Sequence, residues 1–525
     1  MLQPDPGSPL QPDPSSTTTE PLSESSLLKD GTENSSCKNG NVGTAVTKES
    51  DSREFTSTSS PKPPYCALSA GRKRFAITII TLVGAVGPLS GTMYLPVLPL
   101  LAREFGVSNT SINASVSLFM ITFAFAPLIW SSFADYRGRR PIYIASLAVF
   151  VISNLLIAVL PRNFAVFMIL RFFHAFGAGA VVSMGAGSVA DITEPAKRGR
   201  KMSIFLLGPQ CGPVFGPVIG SALGGAASWR WIPGFLALVS FLLCLVIIFC
   251  LPETLRYRAG NGRIAQEKSW FLWPPRLVSA VVAEHERGPK PPKPTLKGYW
   301  KLFSYPPIGI VSVNTAILYS TYFAISVALP YALEDRYGWT TTTVGLGYLA
   351  VGIALICGNL LGGHFNDWRR VRRVAASPGA EVEPERRLED QIWGVLVCVA
   401  GTAMFGWFVD RSIHVAAVLV ATFLAGFGVS WVFIASTAFL GECVPLQAVG
   451  AFALGNMLRN PAAAIASVVY PSLKNKIGIA WFFTGFAIFD LVAVGSAVII
   501  LRRYGPYWRK KKSQASGRLS QNGRT

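Results

Sequence analysis

Ile121-Thr122-Phe123-Ala124-Phe125-Ala126-Pro127-Leu128-Ile129-Trp130-Ser131-Ser132-Phe133-Ala134, followed at once by Asp135-Tyr136-Arg137-Gly138-Arg139-Arg140-Pro141, is the stretch on which the fold turns. Extended back to Asn113, the first part is a run of about 20 residues that is apolar around its circumference, enough to cross a bilayer as a helix. The second part is a short basic loop with a carboxylate at the helix end. The figure recurs, because Phe365-Asn366-Asp367-Trp368-Arg369 closes a second such run. Working outward from these two, apolar runs are expected to span the membrane at 75–97, 113–134, 141–160, 164–189, 202–224, 232–251, 307–330, 344–365, 390–409, 413–438, 447–471 and 479–501. The repeated figure falls at the second run of each group of six, which points to an internal duplication. The expected fold is an all-α membrane protein of twelve transmembrane helices in two six-helix, pseudo-symmetric bundles.

Composition agrees. Half of the 525 residues are hydrophobic and 14% are charged, more apolar surface than one soluble core can hide. The formal net charge of +20 raises the question of a nucleic-acid partner, and its placement answers against one. Lys and Arg cluster between the spans, at Arg72-Lys73-Arg74, at Arg137 with Arg139-Arg140, at Lys197-Arg198 with Arg200-Lys201, and at Arg369-Arg370 with Arg372-Arg373. Roughly 22 basic residues fall on the side of the N-terminus against about 7 in the opposite loops, so both termini are expected to be cytoplasmic.

Five regions follow. Residues 1–74 are polar and Ser/Thr/Pro-rich and should be a disordered cytoplasmic tail, with no signal peptide ahead of the first span. Residues 75–251 and 307–501 are the two bundles, 252–306 a cytoplasmic linker carrying Gly288-Pro289-Lys290-Pro291-Pro292-Lys293-Pro294, and 502–525 a basic cytoplasmic tail. The tail's Arg509-Lys510-Lys511-Lys512 is placed to meet anionic lipid or simply water. Of the glycosylation triplets, Asn109-Thr110-Ser111 should face outward and Asn34-Ser35-Ser36 the cytosol. The eight cysteines show no metal-ligand spacing and read as apolar fillers.

The loop after the second span pairs Asp135 with Gly138, which allows a tight turn, and with Arg139 and Arg140. A carboxylate at a helix C-terminus opposes the dipole unless a cation answers it, so Asp135 should pair with Arg139 or with a neighbouring helix. A second cluster, Asp191 through Lys197 and Arg198, should latch against it. In span five Gly208, Gly212, Gly216 and Gly220 recur at every fourth position, with Pro213 and Pro217 among them. The expectation is a bent helix whose glycine face lies at the interface of the halves. Ionisable residues inside spans are costly and are the best transport or coupling sites: Arg171 and His174 on one face of span four, Arg459 in span eleven and Asp490 in span twelve. Polar and aromatic residues near mid-span, namely Gln210, Asn314, Tyr319, Tyr322, Asn359, Trp431 and Asn456, are the pocket-lining set. Phosphate-binding, HExxH and paired-histidine signatures are all missing, so neither enzyme chemistry, ATP drive, a cofactor nor a metal is expected.

At these motifs, over about 75–501, the chain resembles the major facilitator superfamily, and within it the twelve-span fungal drug:proton antiporters. Residues 131–141 look like that family's loop 2–3 signature, with Ser131 where Gly is usual and Tyr136 where a basic residue is common. Arg171 matches the span-four arginine, His174 stands in place of a common Gln, and Gly208 to Gly220 look like the span-five antiporter motif. Leu251-Pro252-Glu253-Thr254-Leu255-Arg256 with Gly260-Asn261-Gly262 resembles the quinidine-resistance branch. The resemblance implies export of a small organic molecule by proton antiport with alternating access, with substrate, protons and membrane lipid as the partners. It further implies a plasma-membrane protein working as a monomer. Export of a specific organic acid such as a dicarboxylate, an uptake permease and a transporter-like receptor are the alternatives.

Overall fold

The computed structural model describes residue 66 and residues 68–161, 163–194, 198–259, 300, 302–376, 383–443 and 448–522. Most of the expected tail over 1–74, most of the linker over 252–306, Asn34, and Lys197 thus lie outside the described residues, as do the side chains of Tyr136 and Arg198, while the end of that tail is not disordered but enters the first helix at Ala70.

The helices are α1 (Ala70–Thr92), α2 (Leu98–Phe105), α3 (Asn109–Arg137), α4 (Arg139–Val159), α5 (Phe164–Ile192), α6 (Arg198–Ala226), α7 (Trp231–Cys250) and α8 (Arg256–Ala259). They continue as α9 (Pro306–Tyr337), α10 (Thr341–Ala376), α11 (Arg386–Glu389), α12 (Gln391–Asp410), α13 (Val415–Cys443), α14 (Ala448–Ile477) and α15 (Ile479–Asn522). No strand occurs among the described residues. Local chemistry sets the ends: the Ser108 hydroxyl accepts from the Ser111 N–H at 3.1 Å, and the Asn163 side chain accepts from the Ala165 N–H at 2.9 Å. Prolines 96 and 99, which lack an N–H, interrupt span one between α1 and α2.

Eleven spans among the described residues are long and apolar enough to cross a membrane. The twelfth, α14, is 30 residues long but is interrupted by Asn456, Arg459 and Asn460; it packs between α3 and α9. The two halves use the same partnerships. α1 packs on α6 as α9 packs on α14, and α3 on α5 as α10 on α13. Likewise α4 contacts α5 and α7 as α12 contacts α13 and α15. Large apolar side chains such as Leu207, Leu242 and Leu360 point away from this packing and remain exposed, as lipid-facing positions do.

Three expectations need correction. Phe365 to Arg369 does not end a helix, because α10 runs on to Ala376. The position of Gly138, which adopts φ +105° and ends α3, is held by Arg370 in the second half, which cannot make that turn cheaply. Span twelve does not stop near 501 but continues as one helix to Asn522. Asn109 lies in the first turn of α3 rather than in a loop.

The halves meet along α3 with α14 and along α6 with α10. The bonds that join them concentrate at the end away from Asp135. Asn113 donates to the Ser467 carbonyl at 3.2 Å and accepts from the Tyr331 hydroxyl at 3.1 Å, and Ser117 donates to the Ala464 carbonyl at 2.7 Å. Toward the Asp135 end the seam is carried as far as Asn359, whose amide donates to Gln210 Oε1 at 2.8 Å, and Gln210 is exposed.

Candidate transport pathway and its gates

The span-five glycines face α1, not the other half. A Cβ on Gly212 would stand 2.6 Å from Leu89 N and Pro88 C, and Cβ atoms on Gly208, Gly216 and Gly220 would collide with Thr81 O, Thr92 Oγ1 and Met93 O. The expectation that this face lies between the halves is therefore overturned. Residues four apart share one face, and α1 of the same half occupies it. The Thr92 hydroxyl also donates to the Gly212 carbonyl at 2.8 Å. The inter-half contact uses a rotated face: Val214 lies against Gly352, Ser221 against Gly345 and Gly225 against Thr342. Pro213 and Pro217 lie inside α6, which remains a single helix.

At the Asp135 end each half carries an arginine between two carboxylates. Arg139 reaches Asp135 at 3.0 Å and Asp191 at 3.3 Å, tying the ends of α3 and α5 together. Gly187 makes room for it, since a Cβ there would lie 2.9 Å from the Arg139 guanidinium carbon. Glu253 accepts from the backbone N–H groups of Arg139 at 2.8 Å and Arg140 at 3.3 Å, a carboxylate at the helix N-terminus. Arg140 is buried and donates to the Ile248 carbonyl. In the other half Arg387 bridges Asp367 at 3.3 Å and Glu442 at 2.7 Å. Glu442 and Asp191 are the penultimate residues of their helices, α13 and α5, so the two triads correspond. Arg387 and Glu442 escaped the sequence reading because Arg387 follows a longer intervening loop and has no register with Arg139.

Arg171 and His174 are fully buried within the first half rather than on its inter-half surface. The Arg171 guanidinium lies 3.9 Å from the centre of the Tyr94 ring, in the break between α1 and α2, and Phe119 and Phe150 meet the His174 ring edge-on. Arg171 Nη1 lies 3.4 Å from His174 Nδ1. Arginine only donates, so in this contact Nδ1 is the acceptor. Nε2, the Tyr94 hydroxyl, and Arg171 Nε and Nη2 find no hydrogen-bond partner among the described residues. Asp490 is buried in the second half, facing the Thr321 hydroxyl of α9 without hydrogen-bond geometry, with Cys398 of α12 nearby.

The pocket-lining set divides. Gln210 and Asn359 bond to each other across the halves. Tyr319 and Asn456 gather with Arg459, whose guanidinium donates to Asn456 Oδ1 and lies over the Phe433 ring at 4.5 Å and the Tyr319 ring at 5.5 Å. Tyr322 is packed against Phe323, and Trp431 donates to the Asp390 carbonyl at 3.0 Å while its ring packs on Gly394 within the second half. Asn314 instead lines an apolar groove of about 420 Å³ between α9 and α15.

A latch at the closed end went unseen in the sequence. Arg103 of α2 reaches Glu334 of α9 at 2.8 Å, and the Thr341 hydroxyl donates to the same carboxylate at 3.3 Å. They border a cavity of about 430 Å³ with Gly225 and Trp339.

Known proteins match this geometry. The sequence model of the Major Facilitator Superfamily matches residues 80–380. Dityrosine transporter 1 of Saccharomyces cerevisiae is 37% identical over 482 residues, 87% of this chain and 84% of that protein. Multidrug transporter DTR1 of Candida glabrata is 35% identical over 467 residues, 83% and 85% of the two chains. The MFS antiporter QDR2 of Candida albicans is 30% identical over 458 residues, 82% and 89%. Among solved structures, a partially occluded inward-open xylose transporter XylE from E. coli superposes with a TM-score of 0.57 at 14% identity, over 83% of this chain and 98% of that one. With twelve spans in two matching halves, the family match and these relatives, the chain belongs to the Major Facilitator Superfamily of secondary transporters.

Proposed function

We propose that this protein exports small organic molecules by alternating access, driven by proton antiport, with both termini in the cytoplasm of a plasma-membrane transporter that works as a monomer. The observation that carries the reading is the asymmetric seam. The halves are joined at the end of Asn113, Ser467, Arg103 and Glu334, and the basic loops lie at the other. With basic loops inside, this is an inward-facing state ready to take cargo from the cytosol. Relatives named as multidrug and dityrosine transporters and as an antiporter support the outward direction. In this scheme residues 75–251 and 307–501 rock against each other, with 1–74, 252–306 and 502–525 as cytoplasmic tail, linker and basic tail. Asp135, Gly138, Arg139, Arg140, Asp191, Arg198 and Asp367 belong to the inner latch, and the α6 glycines hold α1 and α6 as one moving body.

Arg171 and His174 are the coupling pair in this reading. His174 accepts from Arg171, and opening of that bond is the step at which its imidazole takes up a proton. Arg459 faces the cargo, and Asp490 is a second embedded acid. The test is cargo uptake into inside-out vesicles under an imposed proton gradient. Cargo uptake that collapses with the gradient is expected, and insensitivity to it removes proton drive. Labelling of Cys37 and of a cysteine placed at Asn109 in intact cells reports the orientation, and reaction of Cys37 from outside would reverse it.

A further inference from the structure

Arg459 is a permanent cation within a span, where an unneeded charge is strongly disfavoured. Its helix supplies the reason for its position. α14 meets the other half at Ala464 and Ser467, through Ser117 and Asn113 of α3. Arg459 lies just over a turn further toward the Asp135 end, where the seam thins, and it is only partly buried. Three helices of the second half converge on it: α9 through Tyr319, α13 through Phe433 and α14 through Asn456.

The surroundings are shaped for a ligand. Gly455 is one turn from Arg459 on the same helical face, and a Cβ built on it meets no described atom within 4 Å. The α6 glycines, by contrast, are each filled by α1. The turn of α14 that precedes Arg459 is thus uncrowded by described residues, and two aromatic rings flank the guanidinium itself. A guanidinium presents a planar fork matched to a carboxylate, and aromatic faces at its flanks favour a planar ring as the body of the guest.

We infer that Arg459, Asn456, Tyr319, Phe433 and the space at Gly455 form the subsite for an aromatic cargo bearing a carboxylate, the acid group lying on Arg459 and the ring against Tyr319 and Phe433. This rests on the export reading and names the cargo class that the second half recognises. Arg171 has no part in it, because its guanidinium is fully buried within the first half against Tyr94 and Phe119.

The test uses the full-length purified protein in lipid nanodiscs and a matched probe pair, biphenyl-4-carboxylate and its neutral amide, titrated calorimetrically. The wild type should prefer the acid by about tenfold, about 1.4 kcal/mol. Arg459→Gln should bind acid and amide alike, Arg459→Lys should keep part of the preference through charge alone, and Gly455→Leu should weaken the acid by filling the space. Equal binding of the two probes by the wild type, binding of neither, or an undiminished preference in Arg459→Gln overturns the subsite. Size-exclusion profiles matching the wild type exclude misfolding as the cause. Uptake of the neutral amide into the inside-out vesicles, with no preference for the acid, would sink this inference alone, whereas failure to export any organic probe would sink the export reading.

Discussion

Replacing Gly212 with alanine places one methyl group where α1 and α6 already touch. The added carbon would lie 2.6 Å from Leu89 N and from Pro88 C. Carbon atoms pack at about 3.5 Å, so the shortfall is about 0.9 Å. Both neighbours are backbone atoms with no rotamer to escape into, and α1 must move as a body away from α6. Overpacking of this kind costs about 1–3 kcal/mol, which outweighs the gain of about 0.5–1 kcal/mol that alanine normally brings to a helix. Gly495 in α15 supplies the opposite sign, because a Cβ there meets nothing within 4 Å and only the helix gain remains. The assay is thermal challenge of the purified protein in detergent, read by the monodisperse fraction that survives. Gly212→Ala should melt a few degrees below the wild type and Gly495→Ala at or slightly above it. A Gly212→Ala protein as stable as Gly495→Ala would refute the claim that these glycines hold α1 against α6.

Other outcomes follow from the same contacts. Glu334→Ala removes the Arg103 latch; with Arg103 largely exposed the pair contributes at most about 1 kcal/mol, so labelling of a Ser117→Cys probe from outside should rise about fivefold, and unchanged labelling would dismiss the latch. Arg139→Ala strips both Asp135 and Asp191 of their shared arginine, whereas Arg387→Ala leaves Glu442 with Arg370 at 2.6 Å, so initial efflux at matched expression should fall further in the first. His174→Gln preserves an acceptor for Arg171 but cannot titrate, so efflux should persist while its variation across pH 5.5 to 8, a window of about one to one and a half units around the imidazole value, flattens; a wild-type profile in that variant removes the histidine from coupling. Asp490 is buried facing the Thr321 hydroxyl, and asparagine keeps both its size and an oxygen toward that hydroxyl, so Asp490→Asn should melt within error of the wild type, and a large loss of stability would mean the carboxylate is held by more than Thr321 and the packing of α9, α12 and α15.

The spans were legible because the bilayer imposes one requirement on every segment that crosses it: about 20 apolar residues with all backbone groups bonded internally. That requirement is local, so the apolar body of each span could be placed from its own composition, though not the polar extensions to Ala376 and Asn522, and the duplication at Asp135 and Asp367 could be read in register. Arg171, His174, Arg459 and Asp490 stood out for the same reason, as charges where charge is costly. What composition could not show is which helix lies against which face. Glycines at every fourth position announce a close neighbour without naming it, and the neighbour proved to be α1 rather than the other half. Arg387 with Glu442, and Arg103 with Glu334, are far apart in the chain and belong to no local pattern; only the packing of halves and helix ends brings them within reach. The same holds for Arg459, whose charge was visible from the start but whose aromatic flanks and adjoining space were assembled by α9, α13 and α14 in three dimensions.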